Sequence, residues 1–450
     1  MDESFMKEKP VPRLVLTMSL PMVLSMLVNS LYNIIDSYFV ARISEDAMTA
    51  LSLVYPVQNI INAVVIGFGV GINAAVAFYL GAGQKDKADQ SATLGFFFNG
   101  VHGLVLGAVC TLIMPFFLSF YTEDPVITEY ALNYSRIVFA FAFINACQLS
   151  FEKIFQAVGR MTVSMLAMLT GCITNIILDP MLIFGIGFFP EMGIKGAALA
   201  TGIGQSVPVA VYLIIYIVKP TTARLRIKSF SFKGKITGRL YKVGAPAALN
   251  LAFPSFLISA LNAILASFGE VYVLVLGVYY KLQTFLYLTS NGIVQGIRPL
   301  ISYNYGAGEY QRVKQVYKTA LLAAAVIMAV GTILCLTVPY GLFGLFTDSE
   351  ETALAGAKAL RIICAGFIVS SVSVITCGCF EALGKGGLSL IISLLRYVVI
   401  IIPAAFILSR FFGPAGVWNS FWIAELITAG VSFVLYQKKI ARPKDQAAKG

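Results

Sequence analysis

Charged residues are scarce in this sequence: they make up 12% of its 450 residues, whereas 58% are hydrophobic. A soluble domain carries about 25% charged residues. The scarcity therefore excludes a soluble protein of this length and predicts an integral membrane protein. Because a helix needs about 20 residues to cross about 30 Å of hydrocarbon, the chain has room for about twelve spans and for no large soluble domain.

Histidine and metal-binding cysteine patterns are nearly absent as well. His102 is the one histidine, and the seven cysteines all lie in apolar runs, where we expect them to pack as small hydrophobic side chains. Cys377 and Cys379 have no second cysteine pair to complete a metal site. No HExxH or GxSxG motif is present. We therefore predict that the protein is not an enzyme and has no cofactor other than a coupling ion.

Basic residues outnumber acidic ones, and the formal net charge is +11. The excess lies in particular loops, and the segment from Lys219 to Lys242 has many basic residues and no acidic one. The positive-inside rule places this segment in the cytoplasm. With an even number of spans, both termini are then cytoplasmic in a multi-pass protein of the cell inner (plasma) membrane. This pattern reflects membrane orientation rather than a phosphate-binding face, so nucleic acid is not an expected partner.

Hydropathy predicts an all-α protein. The twelve expected spans lie near residues 14–41, 50–80, 92–120, 127–157, 161–187, 195–218, 241–268, 272–303, 314–345, 353–382, 387–411 and 415–437.

The two halves of the chain form an internal repeat. Gly81-Ala82-Gly83 recurs 225 residues later as Gly306-Ala307-Gly308, and Pro21 recurs in the same register as Pro246. Each copy holds six spans, an even number, so we predict two parallel six-helix repeats around a central cavity. The predicted organisation is an N-lobe of residues 1–218 (spans 1–6), a basic cytoplasmic linker 219–240, a C-lobe 241–437 (spans 7–12) and a cytoplasmic tail 438–450.

A polar stripe with a carboxylate at its end interrupts the first span. Asn29, Asn33 and Asp36 fall at i, i+4 and i+7, so they share one helix face. An ionisable group inside a span is costly and usually faces a partner or a water-filled cavity on a transport path. Asp36 is therefore the first functional candidate, with Asn29 and Asn33 in support. The alternative is an aspartate that only holds helices together.

Three further polar residues can reach the depth of Asp36. Asn175 and Asp179 lie at i and i+4 on the fifth span, and Thr201 lies on the returning sixth span. Two carboxylates in a dry site cannot both stay ionised without a proton or a metal ion between them, and a shell of oxygen atoms would equally accept Na⁺ at Asp36 and Asp179. The alternative for Asp179-Pro180 is a cap at the outer end of its span.

The remaining intramembrane charges are Glu152, Lys153, Lys281, Arg298, Arg361, Glu381, Arg396 and Glu425. Most lie near span ends, where we expect them to snorkel to the membrane surface. Arg361 and Arg396 are candidates for ion pairs.

Several motifs together resemble the multidrug and toxic compound extrusion (MATE) family over essentially the whole chain. They are Ser19-Leu20-Pro21, Tyr32-Asn33-Ile34-Ile35-Asp36, Tyr79-Leu80-Gly81-Ala82-Gly83, Gln156-Ala157-Val158-Gly159, the segment from Asn175 to Gly185, the segment from Gly193 to Thr201, and Tyr303-Asn304-Tyr305-Gly306. The DinF/MepA-like bacterial branch fits best.

The resemblance implies that Asp36, Asn175, Asp179 and Thr201 match the N-lobe cation site of DinF-like members. It also implies exchange of protons or sodium for organic cations. NorM-type members carry two acidic C-lobe residues that align here with Pro254 and Val372, so we expect coupling to rest on the N-lobe. MepA-like members have a glutamate where this chain has Gln295.

We therefore predict a monomeric, cation-coupled antiporter that exports organic, often cationic, drug-like compounds by alternating access within the lipid bilayer. Aromatic and amide side chains in the cavity would suit such substrates; the candidates are Tyr32, Gln58, Asn62, Tyr279 and Gln283. The alternative for most of the aromatic residues is that they face lipid. The alternative function is a flippase for lipid-linked precursors, which a strongly basic cavity would favour; a membrane-embedded enzyme and a passive channel are more remote alternatives.

Overall fold

The computed structural model describes residues 3–187, 189–226, 228, 230, 234–347 and 349–441. Every regular element in these residues is a helix, as predicted. Lys233 of the predicted linker, and the part of the predicted tail from Arg442 onward, lie outside the described residues.

Eleven helices of the described chain are long and apolar enough to cross a membrane. They are Val11–Ala41, Glu45–Gly81, Lys85–Leu118, Met161–Phe184, Ile194–Val218, Gly234–Ala266, Glu270–Gly306, Tyr310–Thr337, Glu350–Ala382, Gly386–Phe412 and Pro414–Ile440. The pair Pro125–Ala140 and Ala142–Ala157, bent by 44°, forms the fourth span and brings the number to twelve. Two short helices, Phe5–Glu8 and Pro339–Gly344, precede the first span and follow the ninth. The predicted twelve-span, all-α architecture is confirmed.

Local sequence signals account for where these helices begin and end. Ser44 caps the second span by accepting a hydrogen bond from the Ala47 amide (3.0 Å), and Asp124 caps the fourth by accepting one from the Val126 amide (2.8 Å). Gly83 and Gly308 follow the second and eighth spans with φ of 71° and 78°, a left-handed conformation that favours glycine. The repeated Gly-Ala-Gly motif thus ends the corresponding span in both copies.

The described chain divides into two compact units. The first contains the chain through Phe5 together with Leu24–Ala248, and the second contains Met6–Val23 and the chain from Leu249 onward. The units therefore divide within the first and seventh spans, whereas the predicted lobe limits follow the basic loop.

Glycines allow close helix packing at equivalent places in the two units. In the first unit, a Cβ atom on Gly67 would lie 2.5 Å from Ala248 Cα, and one on Gly71 would lie 2.5 Å from the Leu240 carbonyl oxygen. In the second unit, a Cβ atom on Gly292 would lie 2.7 Å from Val23 Cα, and one on Gly296 would lie 2.5 Å from Ser19 Cα. The repeated Gly-x-x-x-Gly therefore brings the second and eighth spans against the backbones of the seventh and first.

Six of the eight intramembrane charges are buried, so the expectation that they snorkel is wrong for five of them. The sixth, Arg396, was a candidate for an ion pair and forms one. Glu152, Lys153, Arg298, Glu381, Arg396 and Glu425 are all at most 7% exposed. Each has an oppositely charged partner, in the pairs Glu152–Lys153, Arg298–Glu381 and Arg396–Glu425. Pairing removes the need to reach the surface. Arg361 and Lys281 are exposed.

Large apolar side chains on the outer helix faces remain exposed, as a bilayer requires. Leu112, Ile217 and Phe411 are 80%, 75% and 77% exposed. Such surface would be unfavourable in water and is suited to lipid.

Candidate functional site

The predicted polar cluster comes together inside the first unit. Asp36 lies near the C-terminal end of the first span, Asp179 near the C-terminal end of the fifth, and Thr201 near the start of the sixth. These antiparallel directions bring the three side chains to the same end of the helix bundle. All three are buried: Asp36 is 8% exposed, Asp179 0% and Thr201 4%.

The two carboxyl groups are neighbours. Those of Asp36 and Asp179 lie close enough to share a hydrogen bond. Asn175, one helical turn before Asp179, is 2% exposed and donates from Nδ2 to Asp179 Oδ1 at 3.3 Å. The amide thereby holds one oxygen of the Asp179 carboxylate.

Each of the four residues leaves one buried oxygen without a hydrogen-bond partner. These atoms are Asp36 Oδ1, Asn175 Oδ1, Asp179 Oδ2 and Thr201 Oγ1. A buried polar atom without a partner costs about 1–3 kcal/mol, so four in one place call for an explanation. An oxygen-lined group with excess negative charge is chemically suited to a proton or to a small hard cation such as Na⁺. Among the described residues, no three His, Cys, Asp or Glu side chains come together as a transition-metal site would require.

The absence of a basic partner distinguishes Asp36 and Asp179 from the other buried carboxylates of the described chain. The others are Asp89, Glu152, Glu381 and Glu425, and each forms an ion pair with a lysine or an arginine. Burying an ionised carboxylate without a compensating cation is strongly unfavourable. Among the described residues, the other four buried carboxylates are therefore each neutralised by a lysine or an arginine, whereas Asp36 and Asp179 are not.

Two tyrosines line the same place. The side chains of Tyr32 and Tyr134 both lie near Thr201 and the two aspartates. Tyr32 was predicted to line the substrate cavity, and the structure places it beside the carboxylates. Tyr134, on the fourth span and 2% exposed, was missed. The only signal for it is the polar run from Asn133 to Arg136, and four consecutive helical residues point in all directions.

The structure does not bring Asn29 and Asn33 into this cluster. Both are exposed, and Asn33 Nδ2 donates to the Asn29 carbonyl oxygen at 2.6 Å. They share a helix face with Asp36, but that face is buried on either side of them, at Ser25 and at Asp36, and not at Asn29 and Asn33 themselves. The three polar residues therefore share one helix face, but only Asp36 is buried.

The other predicted cavity residues lie in different places. Gln58 and Asn62 are half-buried on the second span, and Asn62 Oδ1 accepts a hydrogen bond from Asn145 Nδ2 at 2.9 Å. In the second unit Tyr279 and Gln283 line an apolar pocket of the eighth to tenth spans. Tyr279 is 1% exposed and packs on Phe421, with the ring centroids 5.3 Å apart. Their role as substrate contacts stays a prediction.

The second copy of the repeat has no such cluster at the corresponding positions. The counterparts of Asp36, Asn175 and Asp179 in the repeat register are Leu261, Ile400 and Ala404, all apolar. Leu261 is fully buried in a hydrophobic core with Leu265. The polar cluster is thus confined to one half of an otherwise repeated fold.

Twelve spans and, among the described residues, a buried carboxylate pair without a basic partner define a multi-pass membrane protein with a candidate transport path. The MatE family model matches the chain twice, over residues 21–181 and 246–407, with starting points 225 residues apart, as in the internal repeat. The chain belongs to the MatE family of multidrug transporters.

Named relatives and solved structures agree with this assignment. The chain is 30% identical to the multidrug export protein MepA of Staphylococcus aureus (strain N315) over 434 residues, which cover 94% of this chain and 93% of that protein. It is 26% identical to MepA of Staphylococcus haemolyticus (strain JCSC1435), with 99% and 97% covered. An outward-facing multidrug resistance MATE transporter of the MOP superfamily superposes with a TM-score of 0.90 at 25% identity, and 99% of both chains is covered. A MATE crystal structure in complex with MaL6 gives a TM-score of 0.91 at 25% identity, with 98% and 99% covered. The predicted family is therefore confirmed.

Proposed function

We propose that the protein is an antiporter that exports organic, often cationic, compounds in exchange for a proton or a sodium ion by alternating access. The observation that carries this proposal is the contact between Asp36 and Asp179, which among the described residues are the buried carboxylates without a basic partner. The names of the relatives support a drug-like substrate.

The carboxylate pair supplies the coupling. With both groups ionised, the pair carries two negative charges in a buried place, which favours uptake of one proton or one Na⁺ from the outer side. Uptake removes the repulsion between Asp36 and Asp179 and lets the first span, which contains Pro21 within its helix, change its packing. The two packings differ in affinity for the exported compound. Because coupling free energy is reciprocal, the compound also weakens binding of the cation.

A lipid-linked substrate is less well supported than a drug-like one. A flippase for anionic precursors would need uncompensated basic side chains within the spans. The buried basic side chains of the described residues are Lys153, Arg298 and Arg396, and each is neutralised by a carboxylate. We therefore keep the organic cation as the substrate class.

The same proposal includes orientation and assembly. We propose that both termini lie in the cytoplasm of a cell whose inner (plasma) membrane holds the protein as a monomer, because the basic segment from Lys219 onward follows the positive-inside rule. Green fluorescent protein fused to the C-terminus should fluoresce, whereas a fusion at Asp124 of an opposite loop should not. The mass of the protein–detergent complex from light scattering should correspond to one chain.

Dye efflux from proteoliposomes tests the transport function. We expect ethidium efflux driven by an imposed pH gradient or by an imposed sodium gradient, and the effective gradient identifies the coupling ion. Asp36→Asn removes one of the two charges and should abolish gradient-driven efflux while the protein remains folded. The matched control is Asp46→Asn, which makes the same chemical change at an exposed position and should transport like the native chain.

Two results would contradict the proposal. If the Asp36→Asn variant retained gradient-driven efflux, the carboxylate pair would not be the coupling site. Efflux under neither gradient by the native chain, with lipid scrambling observed instead, would favour the flippase.

A further inference from the structure

The second unit holds a buried ion pair of its own, between Arg396 and Glu425. The two residues are 7% and 6% exposed, and Arg396 Nη2 donates to Glu425 Oε1. The same Nη2 donates to the Tyr287 hydroxyl at 2.8 Å. The guanidinium also lies over the rings of Tyr287 and Tyr397, 5.6 and 5.2 Å from their centroids.

The backbone is irregular where this pair forms. Arg396 lies in a π-helical stretch, Leu395–Ile401, within the eleventh span. In the tenth span the 3₁₀ turn Cys364–Gly366 brings Gly366 against Glu425, so that a Cβ atom on the glycine would lie 3.1 Å from Glu425 Cγ. Such interruptions of a helix occur often at functional sites. They make room here for two large charged side chains.

The repeat relates this pair to the cation cluster of the first unit. The eleventh span corresponds to the fifth, and Arg396 lies one helical turn before Ile400, the counterpart of Asn175. The twelfth span corresponds to the sixth, where Gly416 matches Gly193 and the register becomes 223 residues. The counterpart of Thr201 is therefore Ala424, and Glu425 is the next residue. The fifth and sixth spans and their counterparts thus both carry polar groups, and in the first unit the first span adds Asp36.

We propose that the Arg396 guanidinium is a built-in cation that permanently fills a second cation site at Glu425, so that only the first unit exchanges a cation with the solution. In the first unit two carboxylates share a mobile cation. In the second unit one carboxylate has a cation fixed to the neighbouring span. Glu425 is therefore a latent site for a proton or a sodium ion, which loss of the arginine charge exposes.

A role in stability alone does not account for the pair. A buried ion pair is often no more stabilising than apolar side chains of similar size. Arg396 Nε and Glu425 Oε2 also lack hydrogen-bond partners, so the pair is not fully satisfied. The other titratable groups that face it are Tyr279, Tyr280, Tyr287, Tyr397 and Cys377, which are ordinarily uncharged near neutral pH. The charge balance therefore rests on Arg396 and Glu425.

The test first removes the cation site at Asp36 and Asp179 by substitution and then removes the arginine charge from Glu425. The parent is the Asp36→Asn/Asp179→Asn chain in detergent, whose melting temperature should not depend on Na⁺ and should change little with pH. Adding Arg396→Met leaves Glu425 without its cation. Na⁺ or acidification should then raise the melting temperature by about 3 °C, as a ligand that binds only the folded state does. Adding Glu425→Gln to that variant should abolish the rise.

Two outcomes would overturn the inference. One is a melting temperature that responds equally to Na⁺ and pH with and without Glu425→Gln. The other can be measured even if Arg396→Met does not fold alone. The Arg396→Met/Glu425→Gln chain, with its first site intact, should move the same number of cations per dye molecule as the native chain. A smaller number would show that Glu425 exchanges a cation in the native protein. The inference rests on the proposed function only for the position of the exchanging site. Absence of efflux under both gradients would contradict the proposed function. The melting experiment instead measures cation binding at Glu425 and does not depend on transport.

Discussion

Asp36 and Asp179 meet in the core of the first unit from two different spans, and neither has a basic partner among the residues that the structure describes. Most buried charges in proteins are paired, because the free energy of removing an ion from water is large. A pair of like charges in such a place is stable only with a cation or a proton bound. Binding of a cation or a proton to the pair should therefore be measurable as an increase in the stability of the folded protein.

We expect Asp179→Asn to weaken the dependence of stability on the coupling cation. In the native chain, a cation at 100 times its dissociation constant should add about 2.7 kcal/mol to the free energy of unfolding. In the variant, one carboxylate and one amide remain, so the repulsion between two carboxylates is absent and only the charge of Asp36 is left for the cation to neutralise. Melting curves at increasing Na⁺ and at decreasing pH measure this dependence. An unchanged dependence in Asp179→Asn would mean that the cation binds elsewhere.

Thr201→Val should weaken cation binding without changing the shape of the site. Valine replaces the hydroxyl by a methyl group, which removes one of the four oxygens without a partner and leaves packing nearly unchanged. A contact to a charged group is worth about 1.5–3 kcal/mol, so the cation concentration for half-maximal efflux should rise by about tenfold or more. Thr201→Ser keeps the oxygen and is the matched control. Equal values for the valine and serine variants would exclude Thr201 from the cation shell.

Asp89 should hold the basic segment that follows the sixth span. This carboxylate, 1% exposed, accepts a hydrogen bond from the Arg224 amide at 2.7 Å and pairs with Arg226 Nε at 3.5 Å. Asp89→Ala should release the segment and increase the rate of trypsin cleavage at Arg224 and Arg226. Asp86→Ala, at an exposed position three residues earlier, is the control. Equal cleavage rates for the two variants would contradict this role.

The sequence predicted those features of the site that depend on the depth of a residue along its helix. It did not predict those that depend on which neighbouring helices pack against that residue. Asp36, Asn175, Asp179 and Thr201 could be placed at one level because hydropathy locates the span ends and the rise per residue is constant. Asn33 was predicted only to support the cluster from the same helix face as Asp36, and it is exposed. The helical period indicates which residues share a face but not which part of that face is covered.

The same limit explains what could not be predicted about the buried charges. Distance from a span end suggested that Arg298 and Glu381 would snorkel, yet they pair at 2.9 Å between the eighth and tenth spans. The division of the first span between the units at Val23 also depends on packing. Such contacts join residues far apart in the chain, and no local pattern encodes them.

Gly292→Ala should destabilise the protein, whereas Gly277→Ala on the same span should not. A Cβ atom on Gly292 would lie 2.7 Å from Val23 Cα, so the backbones of the eighth and first spans would have to separate, at a cost of about 1–3 kcal/mol. Nothing lies within 4 Å of a Cβ atom on Gly277, so alanine there should gain about 0.5–1 kcal/mol from its helix preference. Melting temperatures of the two variants should therefore shift in opposite directions from the native value. If both variants were as stable as the native chain, the close approach of these two spans would not contribute to the folded state.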